Sequence, residues 1–301
     1  MLSLLDMSAA FDCVDHSILL QRLERNFGIS GLALQWLTSF LTHRTQQVTF
    51  NGTLCKLQRL LYGVPQGSVL GRYCLICTWQ NTIVESHGHR LHQYADDCQV
   101  YVSAPVTETA AAVDQFLLCI ADVSTRLSSS RLRLNPAKTV VIWLGGRQQV
   151  ANITVSNIPV LSSTVTTVTS ARDLGVVVNS QLSMSANVSS RHTCRSAYHQ
   201  LCQLRPVVRS LSADAAKTAV QSFVSTRLDY CNSLMYGIAD GLMQRHQAVQ
   251  NAAARLITGA RRRDHISPVL RQLHWFPVRQ RVQFKLAVLV FKVMHRQAHS
   301  A

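Results

Sequence analysis

The stretch HQYADDCQVY, His92–Tyr101, leaves the chain few local structures. On either side of its acidic pair, Arg90–Tyr94 and Cys98–Ser103 alternate polar and apolar residues with the period of two that a half-buried strand requires. Only Ala95, Asp96 and Asp97 separate the two runs, so they are expected to fold back as a hairpin with both carboxylates at its tip. Adjacent carboxylates raise each other's pKa unless cations lie beside them. A polar turn accounts for the pair, because Asp is common in turns; a cation site accounts for it too.

Charge sharpens the question. The chain has 301 residues, 30 Lys plus Arg against 15 Asp plus Glu, a formal charge of +15 and a pI near 10.0. Residues 1–185 carry 13 basic and 11 acidic side chains, whereas residues 186–301 carry 17 and 4. Such a basic rear half favours a polyanionic partner, most often nucleic acid. With 47% hydrophobic and 15% charged residues the chain is expected to fold around a true core. Nine scattered cysteines with no secretory leader predict a reducing, intracellular compartment and not a disulfide framework. No window of about 18 apolar residues predicts a membrane span. Cys74-Leu-Ile-Cys77 and His192-Thr-Cys194 lack a second ligand pair at zinc spacing and read as core filler.

Leu2–Leu5 reads as a short buried strand ending at Asp6, and His16–Phe27 as a helix with Asp15 as its N-cap. Leu32–Thr42 predicts a second helix, and Thr45–Phe50 a strand running into an Asn51-Gly52 turn. Gly63–Gly67 is a glycine- and proline-bounded loop; a long helix follows Pro105, Val140–Leu144 is a strand, and residues 152–180 suggest a β ribbon. Beyond about Met184 the texture becomes helical, with amphipathic runs after Ser212, over Leu242–Ile257 and over Val282–Met294. The expectation is a mixed α/β unit followed by a basic helical one.

Asp6 at the end of one strand and Asp96-Asp97 at the end of another form the kind of set that a pair of Mg²⁺ ions needs, because hard cations take oxygen ligands and two such ions clamp a phosphoryl displacement. In chain order, LLDMSAAFDCVDH (Leu4–His16), GVPQGSVLG (Gly63–Gly71), YADD (Tyr94–Asp97) and LNPAKT (Leu134–Thr139) resemble the palm motifs of reverse transcriptases, specifically those of non-LTR retrotransposons. RLDYCNSL, QNAAARLITGA and HWFPVRQR are similar to the segment that follows the palm in such elements.

The resemblance implies an α+β fold: a polymerase palm, an antiparallel sheet with packed helices, over residues 1–150, then a ribbon resembling a primer grip over 151–185 and a basic, mainly helical thumb-like region over 186–301. It implies an RNA-directed DNA polymerase that joins a dNTP to a primer 3′-hydroxyl, with RNA template and DNA primer as partners and two Mg²⁺ ions, replaceable by Mn²⁺, as cofactors. Asp6 and Asp96 would be the main metal ligands and Asp97 a supporting carboxylate. Phe11 would exclude a 2′-hydroxyl, Pro65, Gln66 and Gly67 would line the nucleotide pocket, and Lys138 would protonate or neutralise the leaving pyrophosphate. Arg261, Arg262 and Arg263, with Trp275 nearby, would hold the template–primer duplex. Each has a plainer alternative: Phe11 as core, Lys138 as a solvated lysine at a strand entry, the arginines as a solvated face, Trp275 as structural.

Two departures from the family pattern stand out. The chain begins almost on the first motif, without the upstream fingers, and Arg72–Thr82 (RYCLICTWQNT) replaces an expected apolar helix. They motivate a second expectation, a catalytically impaired nucleic-acid-binding remnant of a degenerate copy. Residence in nucleus or cytoplasm follows from the resemblance alone.

Overall fold

The computed structural model describes residues 1–76, 81–185, 188 and 193–297. Two compact units divide the chain, Met1–Ala171 and Arg172–Ala301.

In the first unit, strand β1 (Leu2–Leu5) is followed by helices α1 (His16–Phe27) and α2 (Gly31–Leu41), the hairpin β2 (Arg90–Tyr94) and β3 (Asp97–Tyr101), helix α3 (Thr109–Ser128) and strand β4 (Val140–Ile142). The four strands form one antiparallel sheet in the order β2-β3-β1-β4. β1 is therefore a central strand, and its apolar run LSLL is almost wholly buried. The alternation legible in the sequence holds on the edge strand β2, where exposed and half-buried residues alternate, but in β3 Cys98, Gln99 and Val100 are all buried. A strand flanked on both sides has less use for a polar face than an edge does.

α3 lays Val113, Phe116, Ile120, Val123 and Leu127 into the same core as Leu5, Val100 and Val141, at the spacing of one helical face. α1 starts at Asp15, whose side chain accepts from the N–H groups of Ser17 and Ile18, and stops at Gly28, whose φ of 66° is left-handed. The strand expected at Thr45–Phe50 breaks into two short pieces, 45–46 pairing with 58–59 and 49–50 with 53–54. Asn51 and Gly52 turn it with positive φ, as expected, yet Phe50, Leu54 and Leu57 stay exposed, no layer of the described residues covering this arm. The ribbon is two hairpins: β5 (Asn157–Val160) with β6 (Ser163–Thr166), whose Ile158 and Val160 join the main core, and β7 (Ser170–Asp173) with β8 (Val176–Asn179).

The second unit is helical beyond β8: α4 (Cys194–Val208), α5 (Ala213–Val220), α6 (Asp240–Thr258), α7 (Ile266–Gln272) and α8 (Val278–Met294). Ser212 caps α5, which runs on through a π turn, Gln221–Ser225, into Thr226–Asp229. Its core is three small clusters, the largest built from Ala197, Leu201, Val220, Val224, Leu228, Val249 and Ala253. The eight described cysteines are free; Cys77 and His192 lie outside the described residues, as does 77–80 of the replaced segment. Among the described residues no helix is long and apolar enough to cross a membrane.

Candidate active site

The first acid is placed by backbone. Beyond Leu5 the chain leaves the sheet ladder, and the Asp6 carbonyl accepts the Asn135 N–H at 2.8 Å while Ser8 N–H donates to the Arg133 carbonyl at 2.9 Å. The segment LNPAKT is thus pinned alongside residues 6–8, and the 3₁₀ turn Pro136–Lys138 brings Lys138 Nζ to 3.5 Å from Asp6 Oδ2. That oxygen is shut off from solvent and has no hydrogen-bond partner among the described residues. At 3.5 Å the ammonium is an ion-pair partner and not a hydrogen-bond donor. Lys138 is two-thirds exposed, so the pair stabilises the fold by less than about 1 kcal/mol.

The other acids sit on the β2–β3 hairpin. Its register with β1 ends on Leu5 opposite Cys98, so the last ladder pair lies one residue before Asp6 and one residue after Asp97. Asp96 is half-buried in the turn beside it. Ala95 carries the turn at φ 57°, a conformation costing about 1–2 kcal/mol in a residue with a Cβ, and Gln93 Nε2 donates to its carbonyl at 3.0 Å. Burial, with Asp97 and Asp96 adding to it, pushes the Cys98 thiol well above its usual range.

The glycine-bounded loop is held against the first motif. Val64 N–H donates to the Phe11 carbonyl at 2.7 Å, Gly63 N–H to Val14 at 2.8 Å, and the buried His16 Nε2 lies 2.8 Å from the Gly63 carbonyl. Gly63 has φ 88°, and a Cβ there would stand 3.0 Å from the Phe11 carbonyl oxygen. A Cβ on Gly71 would approach the Pro65 oxygen to 2.7 Å. Only glycine fits at either point, and the result is that Phe11 and Pro65-Gln66-Gly67 become neighbours. Phe11 is half-buried against the core; Gln66 and Gly67 are exposed.

Sequence reading missed the lock on this arrangement. Asp15 is a cap, as expected, but Arg131 also pairs with it at 3.2 Å, donates to the Tyr62 hydroxyl at 3.1 Å and lies 5.4 Å above the Tyr62 ring. Burial alone would raise the Asp15 carboxyl, but the Ser17 hydroxyl, the Ile18 and Ser17 N–H groups and Arg131 together hold it below the usual range. Residues 15, 62 and 131 share no local pattern, and only the tertiary fold joins them.

The acids fit a hard cation in kind: they offer carboxylate oxygens, one of them buried and unsatisfied. Among the described residues, however, no three His, Cys, Asp or Glu side chains converge closely enough to hold an ion.

The remaining candidates belong to the second unit. Arg261, Arg262 and Arg263 are exposed at a turn, where Arg255 donates to the Arg261, Arg262 and Asp264 carbonyls and Asp264 accepts from Arg261 N–H. Trp275 is half-buried against two of the core clusters.

An antiparallel sheet whose central strand leads into one acid and whose neighbouring hairpin carries two more is the arrangement of a polymerase palm. Residues 1–178 match the family described as reverse transcriptase (RNA-dependent DNA polymerase), and the chain belongs to that family. It is 27% identical over 264 residues to the probable RNA-directed DNA polymerase from transposon X-element of Drosophila melanogaster, covering 85% of this chain and 28% of the relative. The corresponding protein from transposon BS of the same organism is 26% identical over 265 residues, with 84% and 28% covered. The chain thus spans little more than a quarter of these relatives. Among solved structures it is similar to apo telomerase from Candida tropicalis, at TM-score 0.42 and 13% identity over 90% of this chain and 43% of that one. Telomerase from Candida albicans with a TWJ fragment of telomeric RNA gives TM-score 0.39 and 13% identity over 92% and 51%.

Proposed function

We propose that this chain is the RNA-directed DNA polymerase part of a non-LTR retrotransposon protein, adding dNTPs to a primer 3′-hydroxyl on an RNA template. The reading is supported by Asp6 following directly on the central strand β1, next to the strand β3 that Asp97 opens, with Lys138 Nζ 3.5 Å from Asp6 Oδ2. Asp6 and Asp96, with Asp97 in support, would hold divalent metal, which when bound activates the attacking oxygen and neutralises charge on the departing phosphates. Phe11 would limit the space beside the sugar. Gln66 and its loop would seat the base, and Lys138 would supply a proton or positive charge to the leaving pyrophosphate. Residues 1–150 would be the palm, 151–185 the primer-facing ribbon and 186–301 the basic region along the duplex, with Arg261, Arg262, Arg263 and Trp275 among the groups that touch it.

One observation favours a second reading, binding without synthesis: among the described residues three metal-capable side chains do not converge. Primer extension on an RNA template with Mg²⁺ and dNTPs separates the two. The polymerase reading expects extension that falls to background in Asp6→Asn and Asp96→Asn and drops about a hundred-fold in Lys138→Ala. Duplex binding without any extension leaves the second reading, and absence of both removes the two together.

A further inference from the structure

In the helical unit a cleft of about 590 Å³ runs between α4 and α6. Its lining residues recur at i, i+3, i+4 and i+7 on both helices, from Tyr198 along α4 to its cap residue Arg209 and from Ala252 to Gly259 on α6, so each helix contributes one face. At the rise of an α-helix the α4 stripe is about 16 Å long, or three turns.

The floor is aliphatic. Leu201 is buried, Val208, Ala252 and Leu256 are half-buried, and the floor rests on the core that Ala197, Val249 and Ala253 form beneath it. The rim is cationic. Arg205 and Arg209 are exposed and have no ion-pair partner among the described residues, and no Asp or Glu is among the described residues that line the cleft. On the α6 side Arg255 is held by the carbonyls of Arg261, Arg262 and Asp264, which fixes its charge in place. Tyr198, 42% exposed, adds a phenol hydroxyl at one end. At Gly259 nothing stands within 4 Å of the place a Cβ would take, so that end is open.

Nucleic acid is a poor occupant for this shape. Phosphates suit the arginines but have no use for an aliphatic floor, and bases need flat rings to stack on, of which the cleft has one. A second copy of this chain fits no better: α8, whose Phe291, Val293 and Met294 are exposed, carries Arg279, Arg281, Lys285 and Lys292 and no acid. The complement is a helix with apolar residues at i, i+3, i+4 and i+7 for the floor and carboxylates on its flanks for the rim. Tyr and Arg around an aliphatic centre are also the side chains that dominate protein–protein contacts.

We infer that the α4–α6 cleft is a docking groove for an acidic amphipathic helix of a partner protein. The probe is a synthetic peptide of about 18 residues, Leu at the four helical positions and Glu elsewhere, titrated into the intact chain without metal or dNTP. A peptide of the same composition with its Leu scattered is the control. Cys202 lies in the groove and is exposed, as is Cys55 of the first unit, so alkylation read by mass spectrometry reports where the peptide sits. The amphipathic peptide is expected to bind and to suppress alkylation of Cys202 while Cys55 reacts at its free rate. Arg205→Glu with Arg209→Glu is expected to weaken binding about 10-fold, and a Lys-for-Glu version of the peptide to bind this double variant more tightly than the wild type. Arg205→Gln with Arg209→Gln places no acid at the end of α4; it is expected to weaken binding several-fold with an unchanged melting temperature. Unprotected Cys202, equal binding of the scattered peptide, or wild-type affinity in the glutamine pair would each overturn the inference. So would protection of Cys202 by a blunt DNA duplex as strong as the peptide's, which would give the groove to nucleic acid. None of these outcomes depends on the polymerase reading, since no synthesis is measured.

Discussion

At the scale of single residues, the site is governed by positions that tolerate no substitute. Gly71 faces the Pro65 carbonyl so closely that a methyl group must displace backbone, and Gly71→Ala is expected to cost about 1–3 kcal/mol in denaturant melts. The loop that carries Gln66 would shift with it. Asp15 gives a pH signature. Its folded pKa lies below the unfolded value, so its contribution is complete above the ordinary carboxylate range and is lost as pH falls through the depressed folded value. Between about pH 5 and pH 2 the wild type is expected to lose stability more steeply than Asp15→Asn; parallel acid titrations of the two proteins check this, and identical curves would remove Asp15 from the account. Asp15 was readable as a cap, but neither its pairing with Arg131 nor the close approach at Gly71 was readable from residues alone. The sequence singled out Asp6, Asp96 and Gln66 because chemistry-bearing side chains stand out by type. Arg131 and Tyr62 are ordinary residues whose role arises from where the chain returns.

Elements are where sequence and structure agree best. The β2–β3 hairpin, the capped helix α1 and the Asn51-Gly52 turn all declared themselves through local rules: alternation, a cap residue and a positive-φ pair. Agreement ends where burial overrides periodicity, as in β3, and where a strand needs a packing layer, as at Thr45–Phe50. Strand β4 stops at Ile142, two residues short of the apolar run, and Trp143 just beyond it donates its indole N–H to the Val155 carbonyl at 3.0 Å. In the hairpin, the left-handed Ala95 makes a stability prediction possible. Ala95→Gly relieves the Cβ conflict and is expected to raise stability by about 0.5 kcal/mol, part of the gain being offset by glycine's unfolded-state entropy. A fall in stability would mean that Ala95's buried methyl packs to greater effect than its φ costs.

For the whole molecule, charge is the dominant fact. On the proposed reading, 17 basic against 4 acidic residues beyond residue 185 would make duplex binding largely a matter of counterion release. Duplex affinity is expected to fall linearly with salt on logarithmic axes, and replacing Arg261, Arg262 and Arg263 by Gln to reduce the slope by about one for each phosphate no longer neutralised. A slope that does not change would take that turn out of the interface. The central place of β1 carries a different consequence, for synthesis. Its partners β3 and β4 lie about 100 and about 140 residues further along the chain, so the strand that leads into Asp6 keeps both edges open until β3 has left the ribosome and one edge open until β4 has. Closing loops of that length is slow, and an apolar strand waiting with two open edges is a target for chaperones or for a neighbouring nascent chain. The acids would then be assembled late, and any arrest of translation before Tyr101 would leave a chain with the first motif present and without the strands that hold it.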